Sequence, residues 1–204
     1  MEVLAKLYIP QNMHELAMDI YLQLQRSDVF DFMLQHVLLR FLTNKIVRLI
    51  SLDEDRALTL LCDHADEVQV TSISISIISE FHFQPSEVIE EVTAAMRNVA
   101  DGSPDDKRYQ TWRKWLYRYM DRLIMDNISA APDYHHLLVE LYADYEPSAL
   151  MKFLRMSHQY PLDQAYEICK ERGMIKEMVY ILSRMGNTHE ALQQIGRASC
   201  RERV

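Results

Sequence analysis

The side chains that could attack a bond, relay a proton or hold a metal are few and scattered. Cys62, Cys169 and Cys200 stand in isolation, so they build neither a disulfide framework nor a paired CxxC zinc site. Cys169 lies among apolar helical positions in "AYEICKER". There a free cysteine behaves as a small buried hydrophobe, and a nucleophilic role would require a depressed pKa. Among the eight histidines, His135 and His136 are adjacent and so project to different sides of a helix. His136 and Glu140 stand at i, i+4, but a zinc site needs a further ligand at a recognisable spacing and none follows. These histidines read as ordinary surface or interface residues. Asp53 and Asp55 open a helix, where the macrodipole is sufficient reason for a carboxylate pair. HExxH, GxSxG and the kinase motif set are absent. A phosphate-cradling loop needs clustered glycines, and the four present, Gly102, Gly173, Gly186 and Gly196, are far apart. The sequence predicts no catalytic residue, no bound cofactor and no metal ligand.

One constellation stands out. Lys107, Arg108, Arg113, Lys114, Arg118 and Arg122 interleave with Trp112, Trp115, Tyr117 and Tyr119. Cations among aromatic rings can bind RNA or a membrane surface. The bland reading is an amphipathic helix in a bundle, with Trp112, Leu116, Tyr119 and Leu123 on one face, Lys107, Lys114 and Arg118 on another, and acidic neighbours satisfying the cations. The formal charge of −8 on 204 residues, with both signs interspersed, argues against bulk affinity for nucleic acid. No stretch approaches the roughly 20 apolar residues needed to span a bilayer. The N-terminus lacks the order of a secretory signal, and isolated cysteines fit a reducing cytosolic compartment.

The elements that position these residues are predicted to be helices throughout. Strands and hairpins need many residues able to take positive φ, and four glycines do not supply them. Apolar residues recur at helical spacing around Leu16, Ile20, Leu22 and Leu24. Ser27 with Asp28, and Asp53 with Glu54 and Asp55, mark helix starts. Ser86 and Ser103 open two further helices beside Pro85 and Pro104. In the second half Pro147 and Pro161 fall at first helical positions, while Gly173 and Gly186 fall just past helix ends. Connections of a few residues make the neighbours antiparallel. The alternation of Val68, Val70, Ile73, Ile75 and Ile77 has the period of a strand, yet Ile73, Ile77, Ile78 and Phe81 also form a helical stripe, which an all-helical context favours. "LAKLY" echoes as "LVELY", and "QNMHELA" as "GNTHEAL". Short helix pairs with weak internal similarity are the signature of an α-solenoid.

Residues 195–204 read "IGRASCRERV", which breaks the preceding periodicity and resembles a translated sequencing adaptor. Without Arg197, Arg201, Arg203 and Glu202 the formal charge moves from −8 to −10. The expected organisation is therefore residues 1–127 as the first part of a repeat array, 128–194 as regular helix pairs and 195–204 as a non-native tail.

From residue 138 to 192 the chain reads "LVELYADYEPSALMKFLRMSHQYPLDQAYEICKERGMIKEMVYILSRMGNTHEAL". With "LAMDIYLQLQRSDVFDFMLQH" and "KIVRLISLDEDRAL" upstream in the same order, it resembles the clathrin heavy-chain repeat region of the vacuolar protein sorting-associated 41 family. Residues 84–127 depart from that resemblance. It implies an all-α solenoid and a non-enzymatic scaffold in the HOPS tethering complex. The expected setting is vesicle transport and fusion at late endosomes, lysosomes or vacuoles, peripheral to the membrane. It also implies partners among the complex's other subunits, or self-association, through the repeats. Small GTPases and adaptors would bind domains outside this region, a β-propeller and a RING-type zinc domain. The alternatives are a clathrin-like coat scaffold, or an RNA- or membrane-surface-binding helical domain using residues 107–122.

Overall fold

A computed structural model of the chain describes residues 7–11, 13–36, 38–65, 84–100 and 106–201. Within these, eleven α-helices run in order: α1 (His14–Gln23), α2 (Asp28–His36), α3 (Ile46–Leu52), α4 (Glu54–Asp63), α5 (Pro85–Ala100), α6 (Lys107–Asp126), α7 (His135–Tyr145), α8 (Pro147–Met156), α9 (Leu162–Glu171), α10 (Ile175–Arg184) and α11 (Thr188–Arg201). One 3-10 turn precedes α1 and two others lie between helices, and no strand occurs among the described residues. The alternating segment 68–81 and the helix start at Ser103 and Pro104 lie outside them.

The chain divides into two compact units, Met1–Leu123 and Ile124–Val204. In the first, α1 packs on α2 and α3, α2 packs on α4, and α3 packs on α4 and α5. In the second, α7 packs on α8 and α9, α8 on α10, α9 on α10, and α10 on α11. These helices thus pack on chain neighbours or on the next but one. That pattern gives two layers of alternate helices, and it is how a repeat array buries apolar faces that no single pair could hide. The fold is all-α and of the α-solenoid class.

The local chemistry explains where helices stop. Asp53 is the N-cap of α4, its carboxylate accepting from the Arg56 N–H at 3.0 Å. Pro147 opens α8 at its first position, but Pro161 lies one residue before α9 rather than inside it. Gly173 and Gly186 follow α9 and α10 with φ of +67° and +81°. Around them Met174 N–H donates to Cys169 O and Asn187 N–H to Leu182 O, both at 2.9 Å, closing Schellman motifs. The register of α1 differs from expectation. Ala17, Met18 and Leu22 are buried, whereas Leu16 and Leu24 face solvent. On α10, Met178, Ile181 and Leu182 are buried, whereas Leu192 on α11 is 67% exposed. The last helix, α11, runs on to Arg201.

Two polar clasps reinforce the second unit. Tyr160 donates its hydroxyl to Leu154 O at 2.8 Å and accepts from Arg184 Nη1 at 2.7 Å, with the guanidinium 5.3 Å from its ring centroid. Burial, partly offset by that guanidinium, holds the Tyr160 phenol above its ordinary value. Arg172 Nε meets Asp144 Oδ1 at 2.7 Å and joins the end of α9 to α7. That carboxylate raises the Arg172 pKa still further.

Candidate functional site

α6 is amphipathic because its apolar residues recur every three or four positions over 20 residues. Trp115, Leu116, Tyr119, Met120 and Leu123 are buried, while Trp112 is half-buried. Trp115 is the anchor. Its indole N–H donates to Glu54 O at 3.1 Å, at the start of α4, and its ring stacks on Tyr119 with centroids 5.4 Å apart. Sequence reasoning grouped Trp115 with the cations, because a helix of mixed aromatic and basic residues offers two plausible faces.

The six cations divide into two sets. Arg118 Nη2 meets Asp55 Oδ1 at 2.6 Å and Arg122 Nη2 meets Asp63 Oδ1 at 2.9 Å, so these two arginines bind α6 to α4. Both pairs are partly exposed, and solvent screening limits each to about 0–1 kcal/mol. Toward the start of α6, Arg108 lies 3.6 Å from Asp106 and its side chain is 72% exposed. The Asp106 carboxyl is held below its ordinary value, first by the Arg108 N–H and then by the Arg108 charge. Arg113 is half-buried, its Nη1 donating to the Tyr109 hydroxyl at 3.4 Å. Lys107 and Lys114 are exposed. The partners Asp55 and Asp63 were not legible in sequence. The aspartates stand eight residues apart and the arginines four, so no matched spacing announces the pairing.

Two clefts open in this unit, the first of them against α6. One, of about 250 Å³, is lined by Glu54, Thr111, Lys114, Trp115 and Arg118. The other, of about 330 Å³, lies between α2 and α4, with Phe30, Leu34 and Leu60 beside Asp55, Asp63, Arg56 and His64. Arg56 is already committed there, to Asp31 at 2.9 Å and over the Phe30 ring at 5.0 Å.

The other chemistry-bearing side chains do structural work. Cys169 is fully buried, and loss of hydration pushes its thiol up to about 12, with Glu177 adding to the shift and Arg172 opposing it. A thiol so hard to ionise is a packing group at neutral pH. His135 is fully buried, with Nε2 3.0 Å from Ala130 O and Nδ1 2.6 Å from Ser157 Oγ. A ring protonated on Nε2 donates to the carbonyl and accepts from the hydroxyl, which satisfies both nitrogens. Its neighbour His136 faces solvent, with Nδ1 2.9 Å from Asp133 O. No group of three or more His, Cys, Asp or Glu side chains able to hold a metal occurs among the described residues. No helix there is long and apolar enough to cross a membrane.

Helices stacked on successive neighbours, with potential catalytic groups absorbed into packing, define a helical-repeat protein of the tetratricopeptide-like kind. The chain belongs to the vacuolar protein sorting-associated protein 41 family: the family model for the Vps41 TPR-like region matches residues 1–199. It is 37% identical over 194 residues to the vacuolar protein sorting-associated protein 41 homolog of Solanum lycopersicum, covering 95% of this chain and 18% of that protein. To the Arabidopsis thaliana homolog it is 33% identical over 197 residues, again 95% of this chain and 18% of the relative. To the Homo sapiens homolog it is 30% identical over 195 residues, 96% of this chain and 19% of the relative. The chain therefore spans about a fifth of the length of these relatives. No solved structure matches it.

Proposed function

We propose that this chain is the repeat segment of a non-enzymatic scaffold in vacuolar protein sorting. It would hold subunits of a membrane-tethering complex in place during vesicle transport and fusion at late endosomes, lysosomes or vacuoles, peripheral to the membrane. The observation that carries the reading is the successive helix packing of a solenoid in a chain 37% identical to a named vacuolar sorting protein. Such arrays bind through long shallow faces rather than a single pocket. Within this reading the exposed start of α6, with Lys107, Arg108 and Lys114, is the cationic contact surface. Arg113, Arg118 and Arg122 orient it through their bonds within the unit.

The test is capture of purified tethering-complex subunits on the immobilised chain at several salt concentrations. Retention of at least one subunit is expected. Charge reversal by Lys107→Glu with Lys114→Glu should weaken that retention most at low salt, because exposed charges are screened as ions are added. Failure to bind any subunit, alone or combined, would overturn the scaffold reading. Binding indifferent to both substitutions would remove α6 from the contact.

A further inference from the structure

The first two helices meet through a pair of imidazoles. His14 is the first residue of α1 and His36 the last of α2, and their rings stack with centroids 4.9 Å apart and planes 24° apart. Phe32 closes on His36 from within α2, at 4.7 Å between centroids, and Tyr21 lies 5.0 Å from Phe32. The Nδ1 atom of His14 is enclosed and has no hydrogen-bond partner. Near-parallel rings aim their in-plane lone pairs side by side, not at one point, so the geometry does not suit joint coordination of a metal.

We propose that the His14–His36 stack is an acid-sensitive latch on the α1–α2 pair, closed while at most one ring carries a proton and released when both do. One imidazolium can rest against a neutral ring, by the attraction that places cations over aromatic faces. Two imidazolium ions at this separation repel, and among the described residues no carboxylate forms an ion pair with either ring. On α1, Glu15 and Asp19 are taken by Lys45 Nζ, at 3.2 Å each. On α2, Asp28 pairs with Arg26 and Asp31 with Arg56. On α4, which packs on α2, Asp55 and Asp63 hold Arg118 and Arg122, and the remaining charges are Glu54 and Arg56 with His64 just beyond the helix. On α3, which packs on α1, the one charged side chain is Arg48, and it faces solvent. Burial, and then the charge of His14, hold the His36 imidazole below its ordinary value. A depressed histidine contributes stability that is complete above the ordinary histidine range and is lost as pH falls through the folded value.

The experiment is hydrogen exchange of the whole chain at pH 7.5, 6.5 and 5.5, corrected for intrinsic rates and read on peptides covering α1 and α2. Protection there should fall on acidification by about tenfold for each pKa unit of depression. In His36→Phe, which keeps a stacked ring and cannot be protonated, the fall should vanish. An equal fall in that variant, or no fall in the parent chain, would overturn the latch. Should His36→Phe not fold, the C2–H resonance of His36 in the parent chain decides alone. Titration of His36 below the ordinary range supports the latch, and a step at or above the ordinary value refutes it.

Discussion

Tyr119 and Trp115 stack within one helix and differ in a single respect: the indole N–H has a partner and the phenol has none. The Tyr119 ring is fully buried and its hydroxyl finds no hydrogen bond. Burial, with Cys62 nearby, pushes that phenol well above its ordinary value, so the group is held neutral and unsatisfied. An unpaired buried hydroxyl costs about 1–3 kcal/mol of desolvation. Tyr119→Phe is therefore expected to be neutral or to stabilise the fold by about 1 kcal/mol. Trp115→Phe loses the bond to Glu54 O as well as volume, and should cost about 2–3 kcal/mol. Urea unfolding of the two variants checks both signs, and a destabilised Tyr119→Phe would mean that the hydroxyl has a partner after all. Cys169 was legible in advance as a buried hydrophobe, because its neighbours in sequence share its face. The Tyr119 orphan and the His14–His36 stack were not, since each depends on contacts between segments whose register no local pattern fixes.

At the scale of the helix, three Schellman motifs make a natural comparison. Gly173 and Gly186 take the left-handed position after α9 and α10, and Gln25 takes it after α1 with φ of +52°. The same two bonds close the turn at Gln25, from Gln25 N–H to Leu22 O and from Arg26 N–H to Tyr21 O, both at 3.3 Å. A side chain with a Cβ pays about 1 kcal/mol in that conformation. Gln25→Gly is thus expected to raise stability by about 0.5–1 kcal/mol, and Gly173→Ala to lower it by a similar amount. Thermal melts that show the opposite order would sink the argument. Glycines flagged two of these ends in the sequence; Gln25 could not, because nothing in its type announces positive φ. A second helix end is built from a distance. Lys45 gives α3 no side-chain cap, and Glu91 of α5 accepts from Val47 N–H at 3.1 Å, with the Asn44 and Ile46 N–H groups also directed at it. Burial nevertheless outweighs these donors and raises the Glu91 pKa. The stability linked to a raised carboxylate is complete below its unfolded value and is lost as pH rises through the folded one. Glu91→Gln keeps an acceptor and cannot ionise, so its advantage over the parent should grow with pH across that window. Glu91→Ala removes the cap and should cost about 1 kcal/mol at any pH. Denaturant midpoints at pH 4 and pH 7 separate the two.

At the scale of the whole molecule, the fold class was legible from scarce glycine, repeated caps and short connections, which together leave stacked helix pairs as the simplest arrangement. The burial pattern within it was less so. Ile181 and Leu182 belong to a stripe that sequence alone cannot assign to a neighbour or to solvent, and the structure buries them because α8, α9 and α11 all pack on α10. This arrangement makes a prediction about how damage spreads. Stability in a solenoid is close to a sum of terms between neighbours, so a cavity should be felt by the helices that line it and fade beyond them. Ile181→Ala deletes a fully buried side chain and should cost about 2–5 kcal/mol locally. Hydrogen exchange should then show lost protection in α8, α9, α10 and α11, and a smaller loss in α7, whose main packing is on α8 and α9. Leu192, with its exposed side chain on α11, is the control. Leu192→Glu should leave that protection unchanged and, by removing an exposed apolar group, reduce concentration-dependent association in light scattering. If Ile181→Ala instead lowers protection uniformly across α7 to α11, the second unit unfolds as one cooperative core and its helices are not the additive repeats that their packing order describes.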